Sequence, residues 1–306
     1  MAGHSNMVAE QHHTAGRRKI MNILFIGDIF GRPGRTTVKK LLPEYRKKLK
    51  IDLVIANAEN SHHGKGVSEK QLDEMRESGV DFFTSGNHVW KVREIIARMN
   101  DEDLPLIRPA NYPPGAPGKG YQVVELQISN SKFQISNDGV PLVRDGAKPR
   151  KVLIINLMGR VLMSMHLDCP FRTADAILKK FENDKDISAI FVDFHAETTS
   201  EKAALGHYLD GRVSAVIGTH THVPTFDARV LPGGTAFQTD VGFTGPIDSI
   251  IGADKKAILE NFLTQVPVKH EVAGGDTVFN ALKIEINDKT GKAVSVEQIQ
   301  RMVEQV

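Results

Sequence analysis

Two histidines close the run Gly218-Thr219-His220-Thr221-His222, which follows an apolar stretch, residues 213–217, that reads as a buried strand. In an extended backbone, residues two apart point to the same face, so both imidazoles can converge on one point. Convergent imidazoles are a metal-ligand geometry, although a surface pair standing alone would carry no chemistry. Side chains of the same kind recur at Asp28, Glu59, Asn60, Asn87, His88 and His195. Two carboxylates, two amides and several imidazoles, with no thiolate, are ligands of intermediate hardness that suit manganese, iron or zinc. They are too many for one ion. A pair of divalent cations about 3.5–4 Å apart, sharing a carboxylate, clamps the attacking and leaving oxygens of an in-line phosphoryl displacement. With Asp28 and Glu59 ionised, such a pair keeps about two positive charges, which a phosphodiester monoanion and a bridging hydroxide would neutralise.

A repeated strand, loop and helix plan would position these groups. Residues 22–26 are an apolar run ending in Gly27-Asp28, followed by a turn-rich loop at 29–34 and a helical pattern at 36–50. A strand at 53–56 ends in Asn57-Ala58-Glu59-Asn60 before a helix at 68–78. A third, at 80–84, ends in Gly86-Asn87-His88 before a helix at 89–100. Further on, a helix at 173–181 precedes a strand at 187–192 that ends in Asp193-Phe194-His195-Ala196-Glu197, and a helix at 200–209 leads to the strand before His220. This alternation implies a mostly parallel sheet, whose ligands bind beyond the carboxyl ends of the strands, where every candidate falls. The remaining strands, at 121–128, 151–157, 279–286 and 293–296, with a helix at 255–263, read as a second sheet packed on the first. The glycines at 27, 31 and 34 match neither a dinucleotide fingerprint nor a phosphate-binding P-loop.

Of 306 residues, 41% are apolar, ample for a core, and 39 Lys plus Arg against 37 Asp plus Glu leave a charge of +2. That balance does not advertise nucleic acid or an anionic membrane as partner. The single cysteine, Cys169, excludes an intrachain disulfide framework and suits a reducing, cytoplasmic setting. No stretch approaches the roughly 18 apolar residues of a membrane span. Residues 1–20 read as a disordered leader or an expression remnant, and 129–150 as a hairpin or loop insertion beside the repeated Gln-Ile-Ser-Asn of 127–130 and 134–137. The proline-rich segment 104–120 reads as a wrapping loop whose Arg108, Asn111 and Tyr112 either approach a substrate or are solvated. Arg32 is placed to contact phosphate or to be solvated, and His62, His63, His166, His207 and His270 read as outside the site.

The ordered set of Asp28 with Phe30, Glu59-Asn60, Gly86-Asn87-His88-Val89, His195 and the closing His220 and His222 resembles the calcineurin-like metallophosphoesterases, and within them the YmdB-like branch. Arg108-Pro109-Ala110-Asn111-Tyr112, Leu167-Asp168-Cys169-Pro170-Phe171 and Asp193-Phe194-His195-Ala196-Glu197 are also similar to that branch. The resemblance implies an α/β fold of two packed mixed β-sheets flanked by helices, a four-layer sandwich, as one metallophosphoesterase domain over residues 21–306. It implies Asp28, Asn60 and His222 on one metal, Asn87, His195 and His220 on the other, Glu59 bridging, and His88 as general acid. The ions would be divalent or trivalent iron or manganese, with zinc an alternative. The reaction implied is hydrolysis of small phosphodiesters, 2',3'-cyclic nucleotides foremost, by a metal-bound hydroxide. A nucleotidase on the same core and a regulatory metal- and nucleotide-binding protein are the alternatives, and a homo-oligomer is implied as well. Asp193, Glu197 and Asp240 are candidates to orient ligand imidazoles or to cap turns.

Overall fold

The computed structural model describes residues 20–126 and 150–304. The leader expected over residues 1–20 and the insertion expected over 129–150, with the repeat, lie outside the described residues, apart from Ile20 and Arg150 at the starts of strands. Strand β1 (Ile20–Ile26) leads through the two-residue β2 (Asp28–Ile29) into α1 (Gly31–Lys48). Then come β3 (Leu53–Asn57), α2 (Glu69–Glu77), β4 (Phe82–Thr84) and α3 (Arg93–Arg98). A second run holds β5 (Tyr121–Leu126), β6 (Arg150–Met158), α4 (Pro170–Phe181), β7 (Ile187–His195), α5 (Thr199–Tyr208), β8 (Ala215–Thr219), β9 (Arg229–Val230) and β10 (Ala236–Gln238). The chain ends with β11 (Phe243–Pro246), α6 (Lys255–Thr264), β12 (Thr277–Asn287) and β13 (Ala293–Val303).

One sheet has the order β2-β11-β12-β1-β3-β4, with β13 paired to β12; the other has the order β5-β6-β7-β8-β10-β9. In the first, β1, β3 and β4 run parallel, and β12 is antiparallel to β1, with Ile23 opposite Ile284. In the second, β6, β7, β8 and β10 run parallel between antiparallel edges. Both sheets are therefore mixed. The sequence places all the alternating units in one sheet; the structure divides them between two. Each run of strand-helix-strand units forms its own sheet, and the C-terminal strands join the first by long-range antiparallel pairing.

Alternate residues of each strand serve different layers, as a period of two requires. Leu24 and Ile26 pack outward with Val38, Leu42 and Leu72 of the helices, whereas Ile23 and Phe25 face inward to meet Ile154, Phe191 and Ile217. Beyond the second sheet, Val192 and Phe194 pack on Ile177, Leu205 and Leu209. The layers are helix, sheet, sheet, helix. The rings of Phe25 and Phe191 meet between the sheets at 5.0 Å, and fully burying each side chain of this size contributes about 1.5–3 kcal/mol.

Two helices differ from expectation near the site. Helix α1 starts at Gly31 instead of 36, because Pro33 lies in its first turn, where a missing N–H costs nothing. Helix α3 begins at Arg93 instead of 89. The backbone N–H of His88 goes to Glu59 Oε2 at 3.1 Å and Val92 is extended, so residues 87–90 form a turn that serves the site.

Candidate metal centre

The parallel strands β1, β3 and β4 deliver Asp28, Glu59-Asn60 and Asn87-His88 to one edge of the first sheet, and β7 and β8 deliver His195, His220 and His222 from the second. The ligand atoms of Glu59, His195 and His220 lie within 4.8 Å of one another. His195 Nε2 is 2.9 Å from Asn87 Oδ1, 3.0 Å from His220 Nδ1 and 3.3 Å from Glu59 Oε1. Asn60 Nδ2 is 3.0 Å from His222 Nε2, and Asn60 Oδ1 is 2.7 Å from His88 Nδ1. Asp28 Oδ2 accepts the backbone N–H of His220 at 3.1 Å, while its buried Oδ1 has no hydrogen-bond partner among the described residues. A buried carboxylate oxygen without a donor is an oxygen that a cation would satisfy. Gly86 makes the approach possible: a Cβ there would sit 2.3 Å from both Glu59 Oε2 and His195 Nε2.

The convergence of His220 and His222 does not arise as the alternation argument has it. Strand β8 ends at Thr219, and both histidines lie in the left-handed region, with φ of 103° and 66°. They therefore diverge, His220 towards His195 and His222 towards Asn60. Such non-glycine conformations cost on the order of 1–3 kcal/mol each and need a surrounding that enforces them. Asp240 supplies part of it by accepting the Thr221 N–H at 3.1 Å and the Gly242 N–H at 2.8 Å. The His222 ring is stacked on Phe243 at 5.3 Å and edge-on to Phe30 at 5.5 Å, with Nδ1 against the carbonyl of Ile251 at 2.8 Å.

Charges inside the cluster oppose burial. Burial, helped by Glu59 and Asp240, pushes the Asp28 carboxyl up to about 8 despite His195. Burial also acts to raise Glu59, but His195 and His88 outweigh it and hold that carboxyl well below the usual range. Burial acts to lower His195, yet the carboxylates of Glu59, Asp28 and Asp193 raise it to about 9. Burial and the charge of His195 push His220 down to about 3, and His222 is lowered chiefly by burial.

Asp28 and His195 thus bind protons in the fold that the unfolded chain releases at their ordinary values of 3.8 and 6.5. Their contribution to stability is full below those ordinary values and declines as pH rises towards about 8 and about 9. Chelator-treated protein should therefore lose thermal stability between pH 6.5 and 9, and manganese binding near pH 7 should release about two protons. Calorimetry in two buffers of different ionisation enthalpy counts them; a count of zero contradicts this picture.

Several residues have roles the sequence does not disclose. Lys202 of α5 is buried with its Nζ 2.6 Å from Asp240 Oδ2, beneath the histidine turn. Asp240 thus braces backbone and lysine and, among the described residues, hydrogen-bonds no imidazole. Lys202→Met should leave that carboxylate buried without a counter-charge and cost about 3–5 kcal/mol in urea unfolding; a loss below about 1 kcal/mol would contradict the pairing. Glu197 Oε2 does meet His220 Nε2, at 3.1 Å. The buried Asp193 accepts from Asn57, Thr84 and Thr219, and Thr219 Oγ1 in turn lies 2.9 Å from His195 Nδ1.

Other candidates serve the scaffold. The Arg108 guanidinium donates to the carbonyls of Pro109, Ala116 and Pro117, and Asn111 to those of Met158 and Asp168. Tyr112 donates to Met165 Sδ at 3.2 Å and meets Trp90 edge-on, while burial, followed by the charge of Glu59, pushes its hydroxyl up to about 12. Arg32 is exposed. His62 contacts Gln71 at the start of α2, outside the cluster.

A sequence model of the YmdB-like protein family matches residues 24–299. The chain belongs to the YmdB-like family. The 2',3'-cyclic-nucleotide 2'-phosphodiesterase of Bacillus subtilis is 46% identical over 280 residues, covering 91% of this chain and 96% of that protein. A crystal structure of a hypothetical protein from Thermus thermophilus superposes with a TM-score of 0.79 at 42% identity, covering 93% of this chain and 100% of that one. A novel phosphatase from Mycoplasma pneumoniae also gives 0.79, at 33% identity, covering 93% and 94%. At these TM-scores the two solved relatives share the two-sheet fold described above. Among the described residues, no helix is long and apolar enough to cross a membrane.

Proposed function

We propose that the protein is a metal-dependent phosphodiesterase that opens small phosphodiesters, 2',3'-cyclic nucleotides foremost. One observation carries the reading: seven ligand-type side chains from both sheets meet at one edge, beside a histidine that, among the described residues, is anchored through one ring nitrogen only. Asp28, Asn60 and His222 would hold one ion, and Asn87, His195 and His220 the other, with Glu59 between them. When bound, the two ions supply Lewis-acid stabilisation of the phosphoryl oxygens and an activated water. Iron or manganese suits this mix of carboxylate, amide and imidazole, with zinc the alternative.

The chain's own part in the chemistry falls to His88. Its Nδ1 faces two acceptors, Asn60 Oδ1 at 2.7 Å and Glu59 Oε1 at 3.2 Å, so Nδ1 carries the hydrogen. Nε2 has no hydrogen bond among the described residues; to act as acid the ring must carry a second hydrogen there, and that hydrogen would go to the leaving ribose oxygen, returning the ring to its Nδ1–H form. The name of the Bacillus subtilis relative supports both the substrate class and cleavage at the 2' oxygen. The single cysteine and near-balanced charge support a cytoplasmic setting.

Manganese-loaded protein incubated with 2',3'-cyclic AMP should yield a single product, the 3'-monophosphate, and should leave 3',5'-cyclic AMP largely intact. Release of inorganic phosphate from a nucleoside monophosphate in preference to ring opening would overturn the reading in favour of a phosphomonoesterase. That outcome has some support in the phosphatase description of the Mycoplasma pneumoniae relative.

A further inference from the structure

The Asp193 carboxylate touches no proposed ligand, yet it is wholly buried under them and ties both sheets together. Its Oδ2 accepts from Asn57 Nδ2 at 3.0 Å, at the end of β3, and from the Thr84 hydroxyl, at the end of β4. Its Oδ1 accepts from the Thr219 hydroxyl at 2.7 Å, at the end of β8. We propose that Asp193, acting through Thr219, fixes which nitrogen of His195 bears the hydrogen and so makes Nε2 the metal-binding atom. The inference rests on the metal reading above.

Direction follows from the donor inventory. Among the described residues three donors and no acceptor surround the carboxyl, so it only accepts, and the single hydroxyl hydrogen of Thr219 is committed to Oδ1. Thr219 Oγ1 can then only accept from His195 Nδ1, 2.9 Å away, which must be N–H. In the neutral ring this leaves the Nε2 lone pair pointing at Asn87 Oδ1, Glu59 Oε1 and His220 Nδ1. The arrangement is a carboxylate, hydroxyl and imidazole relay, with the hydroxyl inserted where such an imidazole more often meets a carboxylate or carbonyl directly. Asp193 and Thr219 are positioning residues.

Asp193→Asn should invert the relay. The Oδ2 position receives two donors, so the amide oxygen must occupy it and the amide nitrogen must face Thr219. Thr219 then accepts from the amide and gives its hydrogen to His195 Nδ1, which moves the ring hydrogen to Nε2, where no metal can bind. Thr219→Val removes the relay without inverting it, and Thr219→Ser preserves it. Calorimetric titration of manganese into the metal-stripped chain reads this ordering. Thr219→Val should bind about 10–100-fold more weakly than wild type, Asp193→Asn more weakly again, and Thr219→Ser as tightly as wild type. Wild-type affinity in Thr219→Val, or equal weakening in Thr219→Ser and Thr219→Val, overturns the relay while leaving the metal reading intact. A wild-type chain that binds neither manganese nor iron nor zinc overturns both. Should Asp193→Asn fail to fold, the Val and Ser pair decides alone.

Discussion

Replacing His88 with glutamine should lower turnover of a 2',3'-cyclic nucleotide by about 10²–10⁴-fold, the range typical of a lost general acid, while both metal equivalents stay bound. Glutamine is chosen because its amide can still donate to Asn60 Oδ1 and Glu59 Oε1, as His88 Nδ1 does. The backbone N–H of residue 88 continues to donate to Glu59 Oε2, so the turn that carries it is retained. What disappears is a ring nitrogen able to give up a proton. The His88 side chain is 22% exposed whereas Glu59 and His195 are at or near zero, so it is the imidazole of this trio that a substrate can reach. Turnover should fall in kcat with little change in manganese content by elemental analysis. Unchanged turnover would contradict the acid role, and loss of the metal would make His88 a ligand instead.

Glu59→Gln should have the opposite signature, with metal affinity falling first. Glu59 is buried, contacts both His88 and His195, and clusters with His195 and His220. Glutamine keeps the shape and still accepts the His88 N–H, so the fold should survive, but the negative charge is gone. One unit-charge pair at about 4 Å is worth about 4 kcal/mol at an effective dielectric near 20, which corresponds to roughly a thousandfold in affinity. A partial offset is expected. The Glu59 carboxylate is the strongest influence raising His195, so without it the ring has less hold on the proton that metal binding must displace. Manganese titration followed by gel filtration measures the loss; wild-type occupancy and affinity in this variant would remove Glu59 from between the ions.

What the sequence discloses is set by how local each feature is. Asp28, Glu59, Asn60, Asn87 and His195 are legible because each follows a short apolar run, and a parallel strand must end where its ligands bind. That there are two packed sheets is legible too, but which strands share a sheet is not, because β1 pairs with a strand close to the C-terminus, Ile23 with Ile284, and nothing near residue 23 states that partner. The histidine turn misleads for a related reason. Alternation assumes an extended backbone, whereas Thr219 sends its hydroxyl to Asp193 and Asp240 takes the Thr221 N–H, turning the chain left-handed. Arg108 and Asn111 look like substrate contacts because of their polarity, yet both are buried where main-chain carbonyls need donors, and those carbonyls take them. Lys202 looks like a solvated helix residue and is instead the buried partner of Asp240. Thr219 carries no sequence signal of its own, since a hydroxyl between a carboxylate and an imidazole is recognisable only once β7 and β8 are paired.

The most direct test of the dinuclear account is turnover of 2',3'-cyclic AMP by chelator-stripped protein as manganese is added back, with bound metal per chain measured at each point. Activity that is absent without metal and rises only as the second equivalent binds is the predicted result. Full turnover without metal, or saturation at one equivalent per chain, would contradict it.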